Sequence, residues 1–145
     1  MDTNNFYLRV AYALSGCQLV EQELKLYIAQ ALELVQKCVA DKLPFGMCGD
    51  DYANKSLGQL INVFQKLSCN PDLGTALQKF LVERNFLSHK GIAYCLDPDG
   101  EVNYVTAREF EDRLADIRHD SERLRANIHE EANKFRGHLW LDDLS

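Results

Sequence analysis

Hydrophobic positions recur at alternating steps of four and three residues through the first quarter of the chain. Phe6, Val10, Ala13, Cys17, Val20, Leu24, Tyr27, Ala31, Leu34 and Cys38 follow this spacing without a break. A repeat averaging 3.5 residues keeps one face of an α-helix apolar, so the pattern predicts a single helix over 5–40. Leu14, Leu19, Ile28 and Val35 widen the stripe and predict packing against more than one neighbour. At 1.5 Å per residue such a helix is roughly 50 Å long. A compact domain of this size has a radius of gyration of about 15 Å. The helix overhangs that globule, and a partner subunit is a natural cover for the excess.

Further along, Pro44, Gly46 and Gly49 break the pattern and predict a loop over 41–54. Ser56-Leu57-Gly58-Gln59 has the form of a capping box opening a short helix over 57–67. Asn70-Pro71-Asp72 restarts the chain with an N-cap asparagine and a proline in the first turn. That third helix is predicted to run to His89 or Lys90, with Gly91 as its stop. Two β-prone runs flank Asp97-Pro98-Asp99-Gly100 and predict a short hairpin or an extended loop over 92–105. Thr106 to Glu109 reads as a second capping box for a last helix over 106–136. Its core side is Phe110, Leu114, Ile117, Leu124, Ile128 and Phe135, interrupted by the polar Ser121. Trp140 is placed to dock the tail. The expected fold is all-α: one domain over 1–145, an up-down four-helix bundle of two long and two shorter helices.

Composition narrows the functional classes. No apolar run is long enough to span a membrane, and the N-terminus lacks the basic start and apolar core of a secretory signal. The expectation is a cytoplasmic protein without membrane contact. Cys17, Cys38, Cys48, Cys69 and Cys95 are odd in number and show no paired spacing, which argues against a zinc site or a disulfide framework. Cys17 and Cys38 fall on the apolar seam of the first helix and are expected to be buried, reduced thiols. No nucleotide-binding glycine loop and no paired metal-binding motifs are present, so no metal or cofactor is expected. The net charge of −6 argues against broad phosphate-backbone binding while leaving room for one local anion site.

The third helix carries the candidate chemistry. Leu73, Leu77, Phe80, Leu81 and Leu87 form its apolar stripe, and Arg84 falls in the middle of it. A guanidinium there must be paired or left in a wet crevice, because burying its charge alone costs several kcal/mol. One reading pairs Arg84 with Glu21 or Glu23 as a structural ion pair that orients the bundle. The other makes Arg84, Asn85, Ser88, His89 and Lys90 the lining of an anion-binding cleft. The same arginine-to-histidine spacing recurs loosely at Arg113–His119 and Arg123–His129. Those arginines lie off the core stripe among other charges and read as solvated surface.

Arg84-Asn85-Phe86-Leu87-Ser88-His89, with Gly91 after it, resembles the arginine–x(4–6)–histidine signature of HEPN domains. Leu57 to Ile61 also looks like a stretch found in these proteins. The resemblance implies a four- to five-helix protein of toxin–antitoxin, phage-defence or RNA-processing systems. It implies metal-independent RNA cleavage at a cleft shared by two subunits, with Arg84 and His89 catalytic and Asn85, Ser88 and Lys90 orienting phosphate. It implies RNA as substrate, a homodimer, and a cognate antitoxin or regulatory protein as a further partner. Many members carry a tyrosine two residues past the histidine; here Gly91 stands there, and Tyr94 is the nearest tyrosine. The rival expectation is a non-catalytic helical module that binds RNA, a nucleotide or a protein as an adaptor or regulator. It expects Arg84 held in an ion pair within its own chain.

Overall fold

The protein is described from a computed structural model covering residues 3–91, 93, 95, 96 and 98–141, with backbone alone at 90, 104, 140 and 141. Among the described residues the α-helices are α1 (Thr3–Val39), α2 (Leu57–Leu67), α3 (Pro71–Phe86) and α4 (Tyr104–Leu141). A 3-10 turn, Gly49–Tyr52, lies in the first connection, and α3 passes directly into a π-turn, Leu87–Gly91. The expected all-α bundle of two long and two shorter helices is the architecture observed.

Local chemistry sets most helix starts. Ser56 Oγ accepts the Gln59 amide at 3.3 Å while the Ser56 amide donates to Gln59 Oε1 at 3.0 Å, completing the capping box of α2. Asn70 Oδ1 accepts from the Leu73 amide at 3.0 Å, with Pro71 in the first turn of α3. The start of α4 differs from the sequence reading. Asn103, not Thr106, is the cap: its Oδ1 accepts from the Val105 and Thr106 amides at 3.1 and 3.2 Å. Asparagine caps as well as threonine does, and the earlier cap wins an extra half-turn of helix. Before it, Leu96 and Val102 form a single antiparallel bridge, so the hairpin-like segment is a pinned loop at the described residues. The expectation that Trp140 docks the tail falls outside the described side chains.

Cross-helix contacts fix the chain direction. Arg9 pairs with Glu111, Gly16 faces Ser121, and Arg136 Nε donates to Gln30 Oε1, so α1 and α4 run the same way. Asn70 meets Glu131 while Glu83 meets Arg113, which makes α3 antiparallel to α4. Gly58 lies against Leu81 and Gln65 against Gly74, which makes α2 antiparallel to α3. Within the expected class, strict alternation therefore fails at one step. The long connection over 40–56 carries the chain back along α1, and α2 sets off in the direction of α1.

The core collects the predicted stripes: Phe6 through Leu32 on α1, Leu57, Leu60, Ile61 and Phe64 on α2, Leu77 and Phe80 on α3, and Phe110 through Ile128 on α4. Tyr27 joins three helices, with its ring edge-on to Phe64 at 4.8 Å and to Phe135 at 5.2 Å. Ser121, the polar interruption of α4, is buried against Gly16 of α1. A Cβ on Gly16 would stand 2.3 Å from Ser121 Oγ, so both positions have to be small. The hydroxyl donates to the Arg118 carbonyl at 2.7 Å and leaves no orphaned polar group. Two expectations on α1 are corrected. Cys38 is exposed, because the last turns of the helix run past the core. Leu19 is also exposed, because no described helix covers it.

Candidate functional site

The end of α3 is held in place by α4. Arg113 grips Glu83 with both arms of its guanidinium, at 2.6 and 2.9 Å, and lies 3.6 Å above the centre of the Phe86 ring. Phe86 in turn packs on Phe110 at 5.6 Å. Arg113 is therefore a structural clamp on the helix that carries Arg84, where the sequence reading had it as solvated surface. Its role rests on residues thirty positions away, and no local pattern marks such a partner. Arg123 does fit that reading: it is exposed and pairs with Asp120 one turn earlier.

Past Phe86 the helix widens. In a regular α-helix residues five apart lie about 140° apart around the axis. The π-turn over Leu87–Gly91 winds more loosely, so His89 swings back toward the side of Arg84. Leu87 plugs into the core, which leaves Ser88 and His89 exposed. Gly91 is buried, and a Cβ there would meet the Phe110 ring at 2.8 Å. Its small size permits this close approach; its φ is not positive, so the left-handed stop expected of a glycine is not what it supplies.

Arg84 itself is neither sealed in nor free. Its side chain is 30% exposed and its Nη2 lies 3.5 Å from Glu21 Oε1, on a carboxylate 19% exposed. That distance is an ion contact longer than a good hydrogen bond. The other arm donates to Asn85 Oδ1 at 3.3 Å. Glu21 rather than Glu23 is the partner, as one of the two readings of the sequence required. Beneath the pair sits the buried thiol of Cys17. Burial pushes its pKa up to about 11, Arg84 pulling it down and Glu21 pushing it up.

The structure thus brings Arg84, Asn85, Ser88 and His89 to one helix end, at or near the surface. The side chain of Lys90 lies outside the described residues. One chain offers a half-exposed arginine, partly neutralised by Glu21, and one histidine. That set can bind a phosphate. It cannot supply a base and an acid at once, because one imidazole holds one protonation state at a time.

Among the described residues, no group of three or more His, Cys, Asp or Glu side chains is placed to hold a metal ion. No described helix is long and apolar enough to cross a membrane. A groove of about 510 Å³ lies elsewhere, between α1 and α4, lined by Leu8, Tyr12 and Arg118 among others. Its polar groups are Asn5, Arg9, Glu111, Arg118, His119 and Glu122, and none of Arg84, Asn85, Ser88 and His89 lines it. Comparison with protein-family models, curated proteins and solved structures gives no match for this chain.

Proposed function

We propose that the protein is a HEPN-type, metal-independent RNA endonuclease, a toxin or phage-defence component, whose centre is Arg84 and His89. The observation that carries this reading is the half-exposed Arg84 in the apolar stripe of α3, with exposed Asn85, Ser88 and His89 on the same helix end. A structural arginine is better served by short bidentate contact, as Arg113 makes with Glu83, than by the single 3.5 Å contact of Arg84 with Glu21.

The chemistry follows from the residue types. The ribose 2′-oxygen attacks the adjacent phosphorus, and the bond from phosphorus to the 5′-oxygen breaks. One imidazole takes the 2′-hydroxyl proton and a second, protonated imidazole gives a proton to the leaving 5′-oxygen. The products are a 2′,3′-cyclic phosphate and a free 5′-hydroxyl. His89 of each of two copies supplies the two protonation states, and Arg84 neutralises the charge gathering on the phosphorane oxygens. In this reading Asn85 steers the guanidinium. An end-labelled RNA incubated in EDTA tests it, with cyclic-phosphate ends as the expected product.

A second reading is favoured by one observation, the Glu21–Arg84 contact within the chain. It makes the protein a non-catalytic HEPN-like module that binds RNA, a nucleotide or a protein partner. RNA bound without cleavage, with Arg84→Ala weakening the binding, is the outcome that selects it.

A further inference from the structure

The groove between α1 and α4 joins apolar surface to a cation that the fold does not neutralise. Its volume, about 510 Å³, falls in the range of small-molecule sites, about 300 to 1,000 Å³. Ala115 makes the hollow. The helix repeat puts Glu111 one turn before it and Arg118 and His119 one turn after, so a short exposed side chain stands between long ones. Leu114 beside it is buried, and Leu8 and Tyr12 of α1, each 48% exposed, form the opposite wall. Arg9 pairs with Glu111, which neutralises one end of the groove. At the other end the Arg118 guanidinium lies 5.0 Å from the centre of the Tyr12 ring. That contact is with the face of the ring and takes up no hydrogen-bond donor of the arginine. Among the described residues no carboxylate pairs with Arg118 or with the adjacent His119.

We propose that this groove binds a small aromatic carboxylate, a monoanion with a flat apolar body. The ring of such a ligand lies over Ala115 and against Leu8 and Tyr12, where its apolar faces leave water and meet an aromatic side chain. Its two carboxylate oxygens take the N–H fork of Arg118. A ring N–H of His119 adds one more donor. Charge selects the class. The two arginines and two glutamates that line the groove cancel, with His119 neutral. A single negative charge is answered by Arg118, while the second charge of a phosphate monoester meets only the carboxylates of Glu111 and Glu122.

The groove shares no lining residue with the Arg84–His89 helix end, so the ligand site is separate from the proposed nuclease centre. Both walls belong to the two long helices of one chain, and the site is formed without a second copy.

Amide NMR spectra of the full chain titrated with indole-3-carboxylate test the proposal without RNA, so the result is independent of the nuclease reading. Saturable shifts are expected at Tyr12, Ala115 and His119, with a Kd of about 1 mM or tighter. Indole-3-carboxamide, of the same shape without the charge, should bind at least about tenfold more weakly. Arg118→Gln removes the cation and Ala115→Leu fills the hollow. Each lies at an exposed helix position and is expected to weaken binding by about tenfold or more with helix content unchanged. No saturable shift up to about 10 mM ligand, shifts confined to Ser88 and His89, or binding that either variant leaves intact overturns the proposal. Equal binding of the amide does the same, as does displacement of the probe by an equal concentration of inorganic phosphate, since the apolar wall then contributes nothing.

Discussion

Arg84 and Glu21 stand 3.5 Å apart across the gap between the end of α3 and the middle of α1, and each keeps part of its side chain in water. A pair of this kind contributes little to stability, because solvent screens it and side-chain entropy opposes it. Glu21→Gln is accordingly expected to cost less than about 1 kcal/mol, a drop in Tm of no more than about 4 °C. It removes the negative charge that offsets Arg84, so affinity for a short RNA or for inorganic phosphate should rise. Titration calorimetry beside thermal unfolding measures both effects. A large loss of stability with unchanged anion affinity would make the pair a structural device.

Gly16 and Ser121 set how closely the two long helices approach. Gly16→Ala drives a methyl into the serine hydroxyl and is expected to cost about 1–3 kcal/mol in urea unfolding. Ser121→Gly should cost less in the Gly16→Ala background than in the wild type, because it makes room. Positive coupling in that double-mutant cycle is the signature of direct contact.

Thiol chemistry separates the cysteines. Burial holds the Cys17 thiol up at about 11, so almost none of it is thiolate near pH 8. Cys95 is also buried, with its pKa raised for the same reason. Cys38, Cys48 and Cys69 are exposed. Alkylation of the native protein at pH 8 should therefore label those three and spare Cys17 and Cys95, read by mass spectrometry of peptides. All five should label in denaturant.

Glu131 gives the acid limb of stability a specific contributor. Its burial alone pushes the carboxyl pKa up, but hydrogen bonds from Lys134 at 2.6 Å and Asn70 at 2.9 Å outweigh this and leave it lowered. A carboxylate with a lowered folded pKa adds stability above its unfolded pKa and loses it as pH falls through the folded one. The urea midpoint of the wild type should fall between neutral pH and about pH 3 by more than that of Glu131→Gln. Equal falls in the two proteins would remove Glu131 from the account.

The helices were legible because their causes are local. The stripe of α1, the Ser56–Gln59 box and the Asn70-Pro71 start each rest on residues within a few positions, and the core positions follow from the period. What sequence did not show depends on distant partners. The Arg113 clamp joins residues thirty apart, and the direction of α2 is set by where a long connection lays the chain down. Thr106 has the form of a cap, but Asn103, next to the Leu96–Val102 bridge, is the residue whose side chain takes the first amides of α4. Leu19 satisfies the apolar pattern whether another helix of the same chain covers it or not. At the candidate site, the misplaced arginine was visible and so was its acidic partner on α1. The π-turn that presents His89 was not, since nothing in Leu87 to Gly91 distinguishes it from a continuing helix.

The central claim is that Arg84 and His89 form a nuclease centre, and cleavage of total cellular RNA by purified protein in EDTA tests it most directly. Wild type, Arg84→Ala and His89→Ala are compared at equal concentration after circular dichroism has shown each to be folded. The account predicts fragments from the wild type alone, with each variant reduced by about a hundredfold or more. Intact RNA after incubation with folded wild type, or undiminished cleavage by either variant, would contradict it.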